Sequence, residues 1–260
     1  NNTAAGGGNG SHETPFNTLA AAVAVAGTND VIYVHRGDGT TTGQNAGILI
    51  NDVGQKFVGS GVALTPALLD LNVSGLTGFT SNSTLIAAGT APIITHTGGT
   101  GVRVTADRTV VSGITVQGAT NYGIHIDNSS GTVWDTAKIS NVTTNGNSYG
   151  IHVEMFGAGL VMNNGSRSCG ANNKNVASAG LRIQTFNNST INAATISNVT
   201  ANDNDQRGLY IFSHQTSSIN NVSISNFSAT NTGGGGGQEG FFVWAEDDSS
   251  VAFSVENSTI

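Results

Sequence analysis

Charge is what this sequence is shortest of. Asp, Glu, Lys and Arg make up 10% of its 260 residues, and only nine are Lys or Arg. Those nine form no basic patch and would neutralise few phosphates, so no nucleic-acid partner is expected. No apolar run approaches the roughly 18 residues of a membrane-spanning helix. Glu, Lys and Arg are the usual surface residues of helices, so their scarcity argues against a helical protein. A single cysteine, Cys169, excludes an internal disulfide. In the stretch SRSCGANN it reads as a small residue in a polar loop rather than a redox centre. The net charge of -7 comes from acidic residues that are scattered, not massed.

Gly, Asn, Ser and Thr are abundant instead. They favour many short strands joined by turns. The strands announce themselves by repetition. A glycine followed by apolar, any, apolar recurs as GVRVT (101–105), GIHID (123–127), GIHVE (150–154), GLRIQ (180–184), GLYIF (208–212) and GFFVW (240–244). The glycines are 22, 27, 30, 28 and 32 residues apart. Interleaved with them are SGITVQ (112–117), ISNVT (139–143 and 196–200) and ISNFS (224–228). At least two strands per period, with room for a third, predict a solenoid in which each strand pairs with its equivalent one coil away. The fold class expected is all-β: a right-handed parallel β-helix, one domain over 1–260 with coils from 31 onward. Apolar positions fill the coil, and Asn at the corners adopts the left-handed conformation. The Asn-x-Ser/Thr sequons at Asn72, Asn141, Asn198 and Asn221 then follow from turn chemistry as readily as from glycosylation. The longest loop is expected at about 157–179. GGGGGQEG (233–240) reads as a second, flexible one.

Residues 1–30 differ in character. Thr14 suits an N-cap, Pro15 the first helical position, Leu19, Ala22 and Val23 an apolar stripe, and Gly27 a stop. A helix over about 15–26 is expected to cover the first coil, since an uncovered solenoid exposes its core. The opening NNTAAGGG and the close VENSTI, in mid-repeat, read as the edges of a piece of a longer chain or of one that stacks end to end on another copy.

The string TPFNTLAAAVAVAGTNDVIYVHRGDGTTTG, then GQKFVGSG, then the G-I-x-I and ISNVT repeats together resemble the pectate-lyase-like parallel β-helix proteins of bacteria. The likeness covers almost the whole chain. It is specific for fold and poor for function, because that family holds polysaccharide lyases and hydrolases, phage tailspikes and non-catalytic adhesins. The opening segment looks most like β-helix modules of large exported surface proteins. The resemblance implies an extracellular or cell-surface location, and a substrate groove, if any, on an outer strand face.

Aligning the six glycine-led strands puts two ladders on one outer face. Arg103, His125, His152, Arg182, Tyr210 and Phe242 form the first. Thr105, Asp127, Glu154, Gln184, Phe212 and Trp244 form the second, with rungs about 4.8 Å apart. Two readings stay open for the charged rungs. His125, Asp127, His152, Glu154 and Arg182 are a catalytic set for glycoside hydrolysis or lyase chemistry, or a compensated, solvent-facing charge ladder. The hydrolase signature of Asn-x-Asp, Asp-Asp and Gly-His-Gly is missing, which favours the ladder. Tyr210, Phe212, Phe242 and Trp244 are either an exposed patch for a glycan or partner chain, or core residues in a reversed register. The acidic turns with Asp203 and Asp205, and with Glu246, Asp247 and Asp248, are weak calcium candidates; otherwise no cofactor is expected. The function expected is a non-catalytic surface module, with a carbohydrate-active enzyme as the alternative.

Overall fold

The computed structural model describes residues 1–128, 134–154, 157–163, 166–168, 179–202, 204, 206–230 and 239–260. Among the described residues one short helix, α1 (Leu19–Val23), precedes twenty strands. The first turns contain β1 (Val31–Val34), β2 (Ile48–Ile50), β3 (Lys56–Gly59), β4 (Ile93–Thr95), β5 (Val102–Val104), β6 (Thr109–Ser112) and β7 (Thr115–Gln117). The middle turns contain β8 (Tyr122–Asp127), β9 (Ala137–Ser140), β10 (Thr143–Asn145), β11 (Tyr149–Glu154), β12 (Gly157–Asn163) and β13 (Ser166–Ser168). The last contain β14 (Ala179–Thr185), β15 (Thr190–Ser197), β16 (Thr200–Asn202), β17 (Arg207–Ser213), β18 (Ser218–Ser225), β19 (Glu239–Ala245) and β20 (Ser250–Glu256).

These strands form three parallel sheets, each built from one strand per coil. Sheet 1 runs β1-β3-β6-β9-β12-β15-β18-β20, sheet 2 runs β4-β7-β10-β13-β16, and sheet 3 runs β2-β5-β8-β11-β14-β17-β19. The chain is therefore a parallel β-helix, as the repeat predicted, with the third strand per coil supplied by sheet 2. Its interior is one apolar column. Ile124, Ile126, Ile151, Val153, Leu181, Ile183, Leu209 and Ile211 from sheet 3 face Ile139, Ile191, Ile196, Ile219 and Ile224 from sheet 1, all buried.

The corners explain the sequence repeat. Between sheet 1 and sheet 2 the chain turns on one left-handed residue: Gly113 at φ +68°, then Asn141 at +50°, Asn198 at +52° and Asn226 at +50°. Asparagine tolerates that region and is the usual non-glycine choice there. Asn226 also donates from Nδ2 to Asn198 Oδ1 at 3.1 Å, linking one corner to the next. The glycines that lead sheet 3 have a different cause. A β-carbon on Gly123 would lie 2.6 Å from the Gly150 carbonyl oxygen, and one on Gly180 would lie 2.9 Å from that of Gly208. Close approach of successive coils, not backbone conformation, requires glycine there.

Three expectations are corrected. The helix is shorter than 15–26. Its N-cap is Thr18, whose hydroxyl accepts from the Ala21 N–H at 3.2 Å, not Thr14. Thr14 belongs to a closed turn, where its carbonyl accepts from Asn9 and Gly10 and its hydroxyl donates to Asn9. Leu19 is buried and Ala22 and Val23 pack on the core, so the capping stripe itself holds. Within the expected loop over 157–179, residues 157–163 and 166–168 are strands instead: β12 and β13 continue sheets 1 and 2 in register. What remains of it, with Cys169, lies outside the described residues, as do Gly233–Gly237 of the second loop. The long excursion instead joins β3 to β4. It is pinned by an antiparallel bridge between Leu64 and Ile86 and by Asp70, which pairs with the buried Lys56 ammonium at 3.2 Å.

The glycine requirement is testable by urea denaturation. Gly123→Ala is expected to lower stability by about 3 kcal/mol, because the obstacle is backbone in the next coil. Gly98→Ala, whose β-carbon would meet nothing closer than 3.4 Å, is expected to change it by less than about 0.5 kcal/mol.

Candidate functional site

Sheet 3 carries the two ladders on its outer face, with the pairing expected. His125 aligns with Arg103 on one side and His152 on the other. Asp127 aligns with Glu154, His152 with Arg182, and Glu154 with Gln184. Further along, Arg182 aligns with Tyr210 and Gln184 with Phe212, then Tyr210 with Phe242 and Phe212 with Trp244. The alternation of each strand fixes this: Ile, Val and Leu face the column, so the intervening residues face outward.

The charged part is not a solvated ladder. His152 is 2% exposed, Asp127 7% and His125 9%. Tyr122 explains much of that cover, with its ring 4.4 Å from the His125 ring and 4.6 Å from the His152 ring. Tyr149 lies 5.7 Å from His152 on the same side. The tyrosines occupy the position just before each leading glycine, which the sequence reading passed over.

Within this packed strip the groups are unevenly satisfied. Arg103 donates from both Nε and Nη2 to Asp127 Oδ2, the former at 2.9 Å. His125 Nε2 lies 3.6 Å from Glu154 Oε2, too long for a hydrogen bond. Neither ring nitrogen of His152 has a hydrogen-bond partner, and Arg182 Nε and Gln184 Oε1 are likewise buried without one. Burial pushes the His152 pKa well below the usual imidazole value, with the neighbouring His125 and Arg182 lowering it further and the nearby Gln184 side chain and Asp127 opposing the shift. His152 is therefore neutral at physiological pH. Ligand atoms of His125, His152 and Glu154 all lie within 4.8 Å of one another. Asp127, committed to Arg103, is outside that group.

The four aromatic candidates do come together, and they face outward. Their strand neighbours Phe241 and Val243 pack on the core, which rules out a reversed register. Tyr210 and Phe242 rings lie 5.4 Å apart, and Phe212 and Trp244 5.6 Å apart. Two residues that sequence reading missed extend the surface. Phe186 packs edge-on against Phe212 at 5.6 Å, and His214 stacks on Phe212 at 5.8 Å. Both sit at or just past the end of a glycine-led strand, two residues beyond the ladder. Arg182 and Arg207 lie over the Tyr210 ring at 5.0 and 4.7 Å, and Arg207 also over Phe242 at 4.4 Å. Cations on ring faces are favourable contacts, and here they bury Tyr210 while Trp244 stays 46% exposed.

Of the calcium candidates, Asp203 and Asp205 lie outside the described residues. Glu246 and Asp247 face His214 Nε2 at 3.4 and 2.7 Å, and Asp248 is exposed beside them in a tight turn with φ +57°. Glu246 and Asp247 thus pair with a histidine.

No family model, curated protein or solved structure matches the chain.

The depressed His152 pKa gives a pH dependence. Above about pH 6.5 the imidazole is neutral both folded and unfolded. Below that the unfolded chain takes up a proton that the folded chain refuses, so stability falls as pH falls from 6.5 toward the folded value. Wild type is expected to lose more stability between pH 7.5 and pH 5 than His152→Gln, read as the difference in urea midpoints.

Proposed function

We propose that this chain is a non-catalytic binding module of an exported, cell-surface protein, and that it holds glycans on the aromatic surface of sheet 3. The observation that carries this reading is the outward array of Phe186, Phe212, Phe242 and Trp244, flanked by Arg182 and Arg207. Aromatic faces bind the apolar faces of sugar rings, and the adjacent Arg182 guanidinium suits carboxylate-bearing residues such as uronic acids, whereas Arg207 already pairs with Glu239 at 3.1 Å. The spacing suits an extended chain, because aromatic rungs repeat along the solenoid axis at the coil spacing. The rigid stack needs little reordering on binding, which reduces the entropic cost. The likeness to β-helix modules of exported bacterial proteins supports the same reading, and with it an extracellular location.

A second reading, polysaccharide cleavage on the charged strip, rests on the closeness of His125 and Glu154. It is weaker, because Asp127 is held by Arg103 and His152 is covered by tyrosines, leaving no acid and base presented together to a sugar.

A panel of neutral and acidic polysaccharides separates the two. Binding is expected for at least one acidic glycan, weakened about tenfold, or ~1.4 kcal/mol, by Trp244→Ala with the fold intact. Asp127→Asn and Glu154→Gln should leave that binding unchanged. Release of reducing ends or unsaturated products, abolished in the Asp127→Asn/Glu154→Gln double variant, would establish the enzyme reading instead.

A further inference from the structure

We propose that His125, His152 and Glu154 form a site for one divalent transition-metal ion, Zn²⁺ or a close analogue such as Co²⁺. The inference stands apart from glycan binding and does not depend on it.

Three observations carry it. First, the donors converge: ligand atoms of the two imidazoles and the carboxylate lie within 4.8 Å of one another. Tetrahedral ligands at zinc bond lengths of 2.0–2.1 Å stand about 3.3 Å apart. His125 and Glu154 are already close to that at 3.6 Å. The remaining separations, up to 4.8 Å, would have to close by as much as about 1.5 Å through side-chain rotation on the paired strands β8 and β11. Second, the donors are weakly engaged. His125 Nε2 and both nitrogens of His152 are buried and make no hydrogen bond of normal geometry to a described residue, although the Gln184 side chain is near enough to His152 to act on its pKa. A buried polar atom with no partner is costly, and a metal ion is one partner that satisfies both rings at once. Third, a supporting partner is in place. Gln184 Oε1 is also buried without a partner, in the strand beside His152. It is placed to accept the N–H left on His152 once the other ring nitrogen is coordinated, fixing the tautomer as ligating histidines require.

The ligand chemistry selects the ion. Two neutral imidazoles and one carboxylate suit Zn²⁺, Co²⁺ or Ni²⁺; Ca²⁺ and Mg²⁺ demand oxygen ligands. Three protein ligands leave a fourth position, on the side where Glu154 is 25% exposed. Asp127 is neutralised by Arg103, whose side chain is half in solvent, so Glu154 is the anionic ligand that offsets part of the ion's own charge. The tyrosine rings of 122 and 149 close the flank of the imidazoles and limit water there.

The test uses the purified chain, stripped with chelator and titrated with Zn²⁺ by calorimetry and with Co²⁺ by visible absorption. The expected result is saturable binding of one ion per chain, with the intense absorption bands of low-coordinate Co²⁺. His125→Gln and Glu154→Gln should each weaken it at least tenfold, while His214→Gln, at the other histidine–carboxylate contact, should not change it. Zn²⁺ should also shift the ring-proton NMR signals of His125 and His152 in the wild-type chain, a readout that needs no variant to fold. No saturable binding, or one-to-one binding that leaves those two signals unmoved and survives Glu154→Gln, would overturn the proposal.

Discussion

The glycines at 123, 150, 180 and 208 each face the carbonyl oxygen of the equivalent glycine one coil on, too close for any β-carbon between them. That contact sets the register of sheet 3, and the register sets everything on its outer face. A slip of one residue would turn His125, His152 and the aromatic rungs into the column and push isoleucines into solvent. The apolar column makes such a slip expensive, because each buried Ile or Leu is worth about 1.5–3 kcal/mol. Local chemistry and global packing thus agree: the glycine permits the approach, the alternation chooses the face, and the asparagine corners close each turn.

The same stacking gives the outer face its division of labour. A parallel in-register ladder puts like beside like, so a motif repeated with small changes becomes a strip of one chemistry. GIHID followed by GIHVE places imidazole over imidazole and carboxylate beside carboxylate. GLYIF followed by GFFVW places ring over ring. Arg182, between the two strips, lies within reach of Tyr149 on one side and Tyr210 on the other. The face therefore passes from a buried, nitrogen-rich strip to an exposed aromatic one within the width of a single coil.

The fold was largely legible in the sequence because its period is carried by residues with one structural meaning each. Glycine at a close approach and asparagine at a left-handed corner need no tertiary context to be interpreted. The ladder pairings followed from the same alignment. What could not be read was burial on the outer face. Period-two alternation says which side of a strand a residue occupies, not whether another ring lies over it. Tyr122 and Tyr149 cover the histidines from positions outside the aligned motif, and Phe186 and His214 extend the aromatic surface from beyond it. The helix start was misplaced for a related reason: Thr14 and Thr18 are equally good caps in sequence, and the turn that engages Thr14 with Asn9 decides between them. The strands β12 and β13 were taken for loop because their Gly, Asn and Ser content masks a position that the neighbouring coils impose.

The most direct test of this account is a nuclear Overhauser experiment on the aromatic and imidazole protons of the labelled chain. Rings paired across coils should give cross-peaks: His125 with His152, and Phe212 with Trp244, whose centroids lie 5.0 and 5.6 Å apart. Observing both would place the glycine-led strands in the register on which the metal site and the aromatic surface rest. Finding instead contacts between these rings and the interior isoleucines of the facing sheet, Ile139, Ile196 or Ile224, would mean that the register is shifted, and the account would be wrong.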